Sequence, residues 1–187
     1  MGIALRPIPP FPETGYRASS KLFSPPAGLA ALDRVVSARD MLAALRRRLA
    51  WCDARVMTAA VADFRPARRS ARKIRKGAMP EALRLVRNPD ILASLLPRKG
   101  GRIFVGFAAE TDDVLGSAAA KLARKGLDLI VANDVTKPGA GFAVETNVVT
   151  FLAPGAPPEA LPLLSKAEVA RRLVARVEAV AACARRR

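Results

Sequence analysis

The sequence predicts an α/β fold in which an open, mainly parallel sheet carries helices on both faces. Short apolar runs typical of buried strands recur along the chain, at 54–62, 102–107 and 127–132. Helical periodicity and capping signals lie between and after these runs. The chain has 187 residues and is 51% apolar, which is enough to bury a core in one domain.

The N-terminal part of the chain consists of two segments that differ in composition and periodicity. Residues 1–27 are proline-rich and show no periodicity, so we expect an extended or disordered lead and a folded domain over 28–187. Residues 34–36 predict a short strand. Ser37 and Asp40 resemble a capping box, with Asp in place of the usual Glu, for a helix that runs through Arg48. The apolar stripe of that helix consists of Met41, Leu42, Leu45 and Leu49.

The middle of the chain predicts two strands and a helix start. The run 54–62 is apolar and rich in small residues, which is typical of a buried parallel strand. A basic loop over 63–80 follows, and residues 83–86 alternate as a strand does. Asn88-Pro89-Asp90 then has the pattern of a helix start, with Asn88 as N-cap, Pro89 at the first helical position and an acid in the first turn.

The C-terminal half predicts strands at 102–107 and 127–132. Between them, Thr111-Asp112-Asp113 opens a helix that runs to Lys125 and ends at Gly126. Residues 139–152 predict a loop and a hairpin, and Ser165 with Glu168 forms a capping box for the last helix. The apolar residues of that helix are Val169, Leu173, Val174, Val177 and Val180. Strands and helices that alternate in this way predict a Rossmann-like open sheet.

The charge of the chain is strongly positive. Lys and Arg number 32 against 16 Asp and Glu, which gives a formal net charge of +16. A solvated arginine-rich surface, a polyanion-binding face and a basic cleft for a small phosphorylated substrate all fit this charge. Aromatic residues make up only 5%, and they do not interleave with basic residues as in a base-stacking platform. We therefore expect no nucleic-acid partner.

Composition also excludes several kinds of chemistry. Histidine is absent, which rules out Ser-His and Cys-His nucleophile pairs and His-ligated metal sites. Cys52 and Cys183 lie far apart, so a disulfide framework or a zinc cage is not expected. The apolar runs fall short of the ~18 residues of a spanning helix, and the first residues lack a secretory signal. We expect a cytoplasmic protein with no membrane partner.

Generic phosphate motifs are missing, and polar residues at the ends of predicted strands remain as candidates. No GxxxxGK[ST] loop occurs, and Gly139-Ala140-Gly141 lacks the third glycine of a dinucleotide fingerprint. Open α/β sheets bind ligands at the carboxyl ends of their strands. Each candidate also has a plain structural explanation, as a cap, a core residue or a solvated charge. The candidates are Asp63, the basic run 73–76, the turn 88–92, Gly106 with Phe107, and the pair Lys121 and Lys125 on one helix face.

Taken together, five segments resemble a known motif series. They are the segments 59–66 (AAVADFRP), 73–76 (KIRK), 88–91 (NPDI), 106–111 (GFAAET) and 132–135 (ANDV). In this order and at this spacing they look like bacterial phosphopantothenate–cysteine ligase, the synthetase half of the bifunctional coenzyme A biosynthesis protein. The resemblance covers about residues 24 to 187.

The resemblance implies a CTP-dependent ligation in two steps. The carboxylate of 4′-phosphopantothenate attacks the α-phosphate of CTP, which yields an acyl-cytidylate and pyrophosphate. The amine of cysteine then displaces CMP, and Mg²⁺ accompanies the triphosphate. By similarity, Lys73 is the catalytic residue that supports acyl-cytidylate formation, and no residue of the chain is assigned as a metal ligand. The residues that the resemblance places at CTP are Met57, Thr58, Ala59, Asp63, Lys73, Pro89, Asp90, Ile91, Leu92, Phe107, Lys121 and Lys125. Family members dimerise through this half, and we expect the contact at 139–152.

The sequence departs from the family pattern at its beginning. Family members open this half with a glycine-bearing strand–loop–helix unit that contains an Asn followed closely by Ser-Ser-Gly. Here the first Asn is Asn88, and residues 1–23 do not match that unit. The flavin-dependent decarboxylase half is also missing. We therefore expect an incomplete ligase domain that turns over poorly in the second step. A non-enzymatic basic RNA-binding module and a catalytically impaired remnant of the ligase are the alternative functions.

Overall fold

Four helices and nine short strands make up the part of the chain that the computed structural model describes, residues 31–68, 70, 72, 82–140 and 144–184. The first half contains α1 (Ala38–Arg48), β1 (Ala54–Met57), β2 (Phe64–Pro66), β3 (Leu85–Arg87) and α2 (Ile91–Leu95). The second half contains β4 (Ile103–Glu110), α3 (Val114–Arg124), β5 (Leu129–Asp134), β6 (Thr146–Asn147), β7 (Val149–Leu152), β8 (Glu159–Ala160), β9 (Leu164–Ser165) and α4 (Lys166–Ala184).

A five-stranded sheet with the order β1-β4-β5-β7-β8 forms the centre of the fold. β1, β4 and β5 run parallel, whereas β7 and β8 are antiparallel to their neighbours. The pairs β2–β3 and β6–β9 form two separate antiparallel ribbons. The predicted Rossmann-like, mainly parallel α/β fold is confirmed.

Alternate residues of each central strand point to opposite faces of the sheet, so the core has two layers. On one face, Phe104 and Ala108 of β4 pack with the apolar residues of α1, α2 and α3. On the other face, Ile103 and Val105 pack with Val169 of α4 and its neighbours. We name these the α1–α3 face and the α4 face. The predicted helices on both faces are therefore present.

Two of the predicted helix boundaries rest on cap geometry that the structure confirms. The Ser37 hydroxyl accepts from the Asp40 N–H at 3.1 Å, and the Asp40 carboxylate accepts from the Ser37 N–H at 3.0 Å. Gly126, just beyond α3, has φ +56°, a left-handed conformation that glycine adopts at little cost. The buried Leu42 and Leu49 and the half-buried Met41 and Leu45 confirm the predicted apolar stripe of α1 and the turn that follows it.

Two expectations about individual segments are wrong, and one apolar residue of the last helix lies outside the core. Residues 34–36 form no strand, because no strand of the described chain offers them a partner, and Val36 is 66% exposed. The strand predicted over 54–62 ends at Met57, because the chain then leaves the sheet along an exposed path. Val174 is 57% exposed because it lies beside Leu173, off the stripe that Val169 and Leu173 bury against the sheet.

The helix start near Asn88 and the hairpin in 139–152 also differ from expectation. The N-cap is Asp90, whose carboxylate accepts from the Ala93 N–H at 3.2 Å, so Pro89 precedes the helix rather than opening it. β6 pairs with β9, and β7 pairs with β5 and β8. Only Val148 separates β6 from β7, which is too short a loop for a hairpin.

The remaining strands are shifted or lengthened by a few residues. The strand predicted at 83–86 is β3 and pairs with β2 outside the main sheet. The strands predicted at 102–107 and 127–132 extend to Glu110 and Asp134. Among the helices that the structure describes, none has both the length and the apolar character needed to cross a bilayer.

Candidate functional site

The carboxyl ends of β1, β4 and β5 meet at one edge of the sheet, where open α/β sheets bind ligands. Met57 ends β1 opposite Gly106 of β4, and Glu110 ends β4 opposite Asp134 of β5. A Cβ on Gly106 would lie 2.7 Å from Leu127, so the close packing of β4 against its neighbours requires glycine there. This packing places the polar strand ends beside α2 and α3.

Asp90 joins two helices on the α1–α3 face. One of its carboxylate oxygens caps α2, and the other forms an ion pair with Lys125 Nζ at 3.1 Å. Lys125 is the C-cap residue of α3, where a positive charge also favours the helix dipole. The beginning of α2 and the end of α3 are thus tied together by two residues that the resemblance places at CTP.

A second ion pair involves Lys121, which lies one turn before Lys125 on α3. Lys121 Nζ contacts the carboxylate of Glu110, the last residue of β4. Each lysine therefore lies beside one carboxylate, Lys121 at the end of β4 and Lys125 at the start of α2. An incoming anion would compete with these carboxylates for the lysines.

The segment between β1 and β2 is exposed and is held by Asn88. Thr58, Ala59 and Asp63 are all exposed. The Asn88 N–H donates to the Asp63 carbonyl at 2.7 Å, and its side-chain amide donates to the Ala62 carbonyl at 2.8 Å. Asn88 therefore fixes the path of 58–63 above the sheet edge rather than capping α2.

The turn before α2 offers a ligand few side chains. Ile91 and Leu92 are only 4% and 6% exposed, because both pack into the core of the α1–α3 face. Pro89 is half-buried and Asp90 exposed. A ligand at this turn would therefore contact Pro89, Asp90 and the main chain rather than the side chains of Ile91 and Leu92.

Phe107 lies on the α4 face of β4, away from Asp90 and the two lysines. It is half-buried and packs against the apolar cluster that includes Val131 and Phe151. The structure therefore brings Met57, Asp90, Lys121 and Lys125 to one face and leaves the Phe107 ring on the other. Lys73 lies outside the described residues.

Sequence reasoning did not single out three polar residues at this edge as site residues: Glu110, Asn133 and Asp134. The Asn133 Oδ1 is buried and has no hydrogen-bond partner among the described residues. The Thr136 hydroxyl donates to Asp134 at 2.5 Å, and this bond holds the pKa of Asp134 below its ordinary value. All three follow apolar stretches of buried strands, and that position was the signal available in the sequence.

Metal ligands are sparse at this edge. Within the described ranges, no three Cys, Asp or Glu side chains cluster as a metal cage. Mg²⁺ commonly binds through one or two carboxylates together with phosphate oxygens and water. The isolated carboxylates of the sheet edge fit that mode of binding and do not fit a dedicated protein cage.

The fold and the site together define an open α/β domain that presents acidic and basic side chains at the carboxyl edge of a parallel sheet. The chain belongs to the DNA/pantothenate metabolism flavoprotein C-terminal domain family, whose family model matches residues 18–180. This match confirms the resemblance that the motif series indicates.

Individual relatives agree with the family. The coenzyme A biosynthesis bifunctional protein CoaBC of Bacillus subtilis is 43% identical over 155 residues, which cover 83% of this chain and 38% of the relative. A cysteine/cysteine sulfinic acid decarboxylase from an unknown prokaryotic organism is 39% identical over 144 residues, 76% of this chain and 40% of the relative. This chain thus spans about two fifths of the length of these curated relatives.

A solved structure matches the architecture. The C-terminal domain of the coenzyme A biosynthesis bifunctional protein CoaBC superimposes with a TM-score of 0.68 and 34% identity. The match covers 84% of this chain and 68% of that chain.

Proposed function

We propose that this chain acts as a CTP-dependent phosphopantothenate–cysteine ligase in coenzyme A biosynthesis. In the proposed reaction, 4′-phosphopantothenate and cysteine are joined through an acyl-cytidylate. Membership of the family supports the class of reaction. The observation that carries the proposal is the pair of lysine contacts on α3, Lys121 with Glu110 at the end of β4 and Lys125 with Asp90 at the start of α2.

The two proposed steps make different demands on the site. In the first step, a carboxylate oxygen of phosphopantothenate attacks the α-phosphorus of CTP, and the bond to the β-phosphate breaks to release pyrophosphate. Negative charge accumulates on the phosphoryl oxygens, so nearby ammonium groups stabilise the transition state. In the second step, the cysteine amine attacks the acyl carbon, loses a proton and displaces CMP as the amide forms.

The lysines have separate proposed roles. Lys121 and Lys125 bind CTP from α3, where Glu110 and Asp90 orient them. Lys73 is the proposed catalytic residue of the first step, because the resemblance aligns it with the lysine that supports acyl-cytidylate formation. Met57, Thr58, Ala59, Asp63, Pro89, Asp90, Ile91, Leu92 and Phe107 complete the proposed contacts with CTP. Mg²⁺ would accompany the triphosphate and neutralise part of its charge.

The relatives' names differ, and neither name assigns an activity to this chain, which covers about two fifths of each relative. The decarboxylase name belongs to a protein of which this chain covers 40%. That name therefore does not assign a decarboxylation to this chain. A homodimer with a contact at 139–152 remains part of the proposal and is testable by the mass of the protein in solution.

Pyrophosphate release tests the proposal directly. The full chain is incubated with CTP, Mg²⁺ and 4′-phosphopantothenate, and pyrophosphate is measured with and without the acid. We expect release that requires phosphopantothenate and that falls sharply when ATP or UTP replaces CTP. We expect Lys73→Ala to abolish release because the transition state loses its cation.

The control variant is Lys137→Ala, which removes an exposed lysine that is not among the proposed CTP contacts. We expect this variant to keep the release of the unaltered chain. Release at an unchanged rate by Lys73→Ala would remove the catalytic role from Lys73. Failure of the folded chain to bind CTP at millimolar concentration would overturn the proposed function.

A further inference from the structure

A cleft of about 790 Å³ lies on the helical side of the fold between α1, the β2–β3 ribbon and the start of α2. Five of the ten residues that line it are arginines, and we call it the arginine cleft. Its lining residues are Arg39, Leu42, Ala43, Arg46, Arg47, Arg65, Arg87, Asn88, Pro89 and Ser94. Of these, only Pro89 is also a proposed CTP contact.

The charge of the arginine cleft is not neutralised by its own walls. Among the residues that the structure describes, no carboxylate lines it. Within the described chain, none of its five arginines takes part in an ion pair, whereas Lys121 and Lys125 each contact a carboxylate. Arg47 interacts electrostatically with Asp33, but the Asp33 carboxylate is hydrogen-bonded to Arg48. Five positive charges thus converge on one concave surface.

The arginines come from two rigid elements. Arg39 and Arg46 are seven residues apart on α1, so they lie on one face of the helix, together with Leu42 and Ala43. On the ribbon, Arg65 donates to the Arg87 carbonyl at 2.5 Å and to the Asn88 side chain at 3.1 Å. The Arg87 guanidinium stacks over the Phe64 ring at 5.0 Å. Arg65 and Arg87 are therefore held in place without a carboxylate, which lowers the entropy lost when they bind an anion.

The chemistry of the cleft selects phosphate groups. A guanidinium presents donors in a fork that matches two oxygens of a phosphate. The volume falls in the range of small-molecule sites, about 300–1,000 Å³. None of the described residues that line the cleft is aromatic, so these residues offer a nucleobase no ring to stack on. Several guanidiniums facing one cavity suit an anion that carries several charges in a short length.

We infer that the arginine cleft binds a compact oligophosphate, a chain of two or more linked phosphates that is either free or carried by a nucleotide. The lining of the arginine cleft includes none of Asp90, Lys121 and Lys125 and shares only Pro89 with the proposed CTP contacts. The inference does not depend on the proposed function, because it rests on the lining of the cleft alone.

Inorganic tripolyphosphate is the probe for the first experiment. Its binding to the full chain is measured by calorimetry at several salt concentrations, and inorganic orthophosphate is measured beside it. We expect tripolyphosphate to bind at least about tenfold more tightly, because it accepts further charge-assisted hydrogen bonds from the guanidiniums. The affinity should fall as salt rises, since counterions are displaced.

The decisive variant is the double substitution Arg46→Gln with Arg47→Gln. Both side chains are exposed and lie in the last turn of α1, and glutamine keeps the helix propensity. The matched control is Arg98→Gln with Arg124→Gln, which removes the same charge from the 3-10 turn that follows α2 and from the last turn of α3. We expect the cleft variant to weaken tripolyphosphate binding by about tenfold or more and the control by less than about twofold.

Further arms identify the source of the phosphates. If ATP binds as tightly as tripolyphosphate and the cleft variant weakens the binding of both equally, the result supports an oligophosphate carried by a nucleotide. If only tripolyphosphate binds tightly, the result supports a free oligophosphate. Equal loss in both double variants would overturn the inference, because net charge alone would then explain binding. A second outcome would also overturn the inference: a single-stranded RNA of ten nucleotides binds the chain more tightly than tripolyphosphate does, and the cleft variant no longer binds that RNA.

The proposed function is tested separately by CTP-dependent pyrophosphate release. We expect the cleft variant to keep that release at a saturating concentration of CTP. If release disappears together with tripolyphosphate binding, the cleft is part of the CTP site and the inference of a separate site is wrong. If release is absent from every form of the chain while tripolyphosphate binding follows the cleft variant, the proposed function fails and the inference stands.

Discussion

Lys125 and Asp90, 35 positions apart in the sequence, meet at 3.1 Å where the end of α3 approaches the start of α2. The same carboxylate also caps α2 by accepting from the Ala93 N–H. Asp90 thus supports the local helix and links it to its neighbour. The two interactions can be separated by substitution, because only one of them requires a negative charge.

We expect the cap of Asp90 to matter more for stability than its ion pair. Asp90→Ala removes both and should lower the free energy of unfolding by about 0.5–2 kcal/mol, the usual cost of a lost N-cap. Asp90→Asn keeps a capping oxygen and loses only the charge. Because Asp90 is partly exposed, the ion pair contributes little, and Asp90→Asn should cost less than about 1 kcal/mol. Urea denaturation of both variants measures the difference.

Lys125→Gln is the control for this prediction, since it removes the ion pair and leaves the cap intact. It should match Asp90→Asn. If Asp90→Asn and Lys125→Gln are each as destabilising as Asp90→Ala, the ion pair and not the cap is the stabilising interaction.

Gly106 of β4 should not tolerate a side chain. A Cβ there would lie 2.7 Å from Leu127 and 3.8 Å from both Leu92 and Ile130, within the core of the α1–α3 face. Gly106→Ala should therefore lower the free energy of unfolding by about 1–3 kcal/mol through overpacking. The control is Gly101→Ala, where an added Cβ meets nothing within 4 Å. Equal chemical denaturation curves for the two variants would show that the sheet shifts to admit the methyl group.

Much of the fold is predictable because local signals decide it. The capping box of Ser37 and Asp40 and the glycine that ends α3 act over three or four residues, and the structure confirms both. The expectations that failed depend on partners elsewhere in the chain. Residues 34–36 have a strand-like composition but no neighbouring strand, and β6 pairs with β9 across 16 intervening residues.

The site is less predictable than the fold for the same reason. The positions of Lys121 and Lys125 on one face follow from their spacing, but the carboxylates that hold them come from β4 and from the cap of α2. The arginine cleft draws its lining from α1, the β2–β3 ribbon and α2, so no run of sequence displays it. The motif series points to the edge of the sheet, whereas only the structure shows that Phe107 lies on the opposite face from the lysines.

The ion pair between Arg48 and Asp33 should make stability depend on pH. Arg48 Nη2 donates to Asp33 at 3.0 Å, and hydrogen bonding to Arg48 holds the pKa of Asp33 below its ordinary value of 3.8. A carboxylate whose pKa is lower in the folded state stabilises the fold above its unfolded pKa. This stabilisation is therefore complete above about pH 5 and is lost as the pH falls through the folded pKa, below 3.8.

A double-mutant cycle with Asp33→Asn and Arg48→Gln isolates this interaction. At pH 7 we expect a coupling free energy of about 1–2 kcal/mol, because the pair is largely buried and hydrogen-bonded. At pH 2 the coupling should be smaller, since protonation of Asp33 removes the charge that holds Arg48. A coupling of the same size at both pH values would assign the effect to packing rather than to charge.

Phe107 provides the test of whether a residue on the α4 face reaches the proposed CTP site. Its ring is half-buried, three residues before the carboxyl end of β4, so one part packs on the cluster while another is open to contact with a ligand. Phe107→Leu keeps most of the apolar volume and should cost less than about 1.5 kcal/mol of stability. The loss of an aromatic contact should raise the KM for CTP by about two- to tenfold, which corresponds to ~0.5–1.5 kcal/mol.

Phe151→Leu separates packing from ligand contact. Phe151 belongs to the same apolar cluster but is almost fully buried on β7, so its replacement disturbs the α4 face without touching the sheet edge. It should leave the KM for CTP unchanged even if it lowers the free energy of unfolding. Pyrophosphate release measured over a range of CTP concentrations gives both KM values. If the two variants change KM equally, Phe107 acts only by packing, and the proposed CTP contacts lie on the α1–α3 face alone.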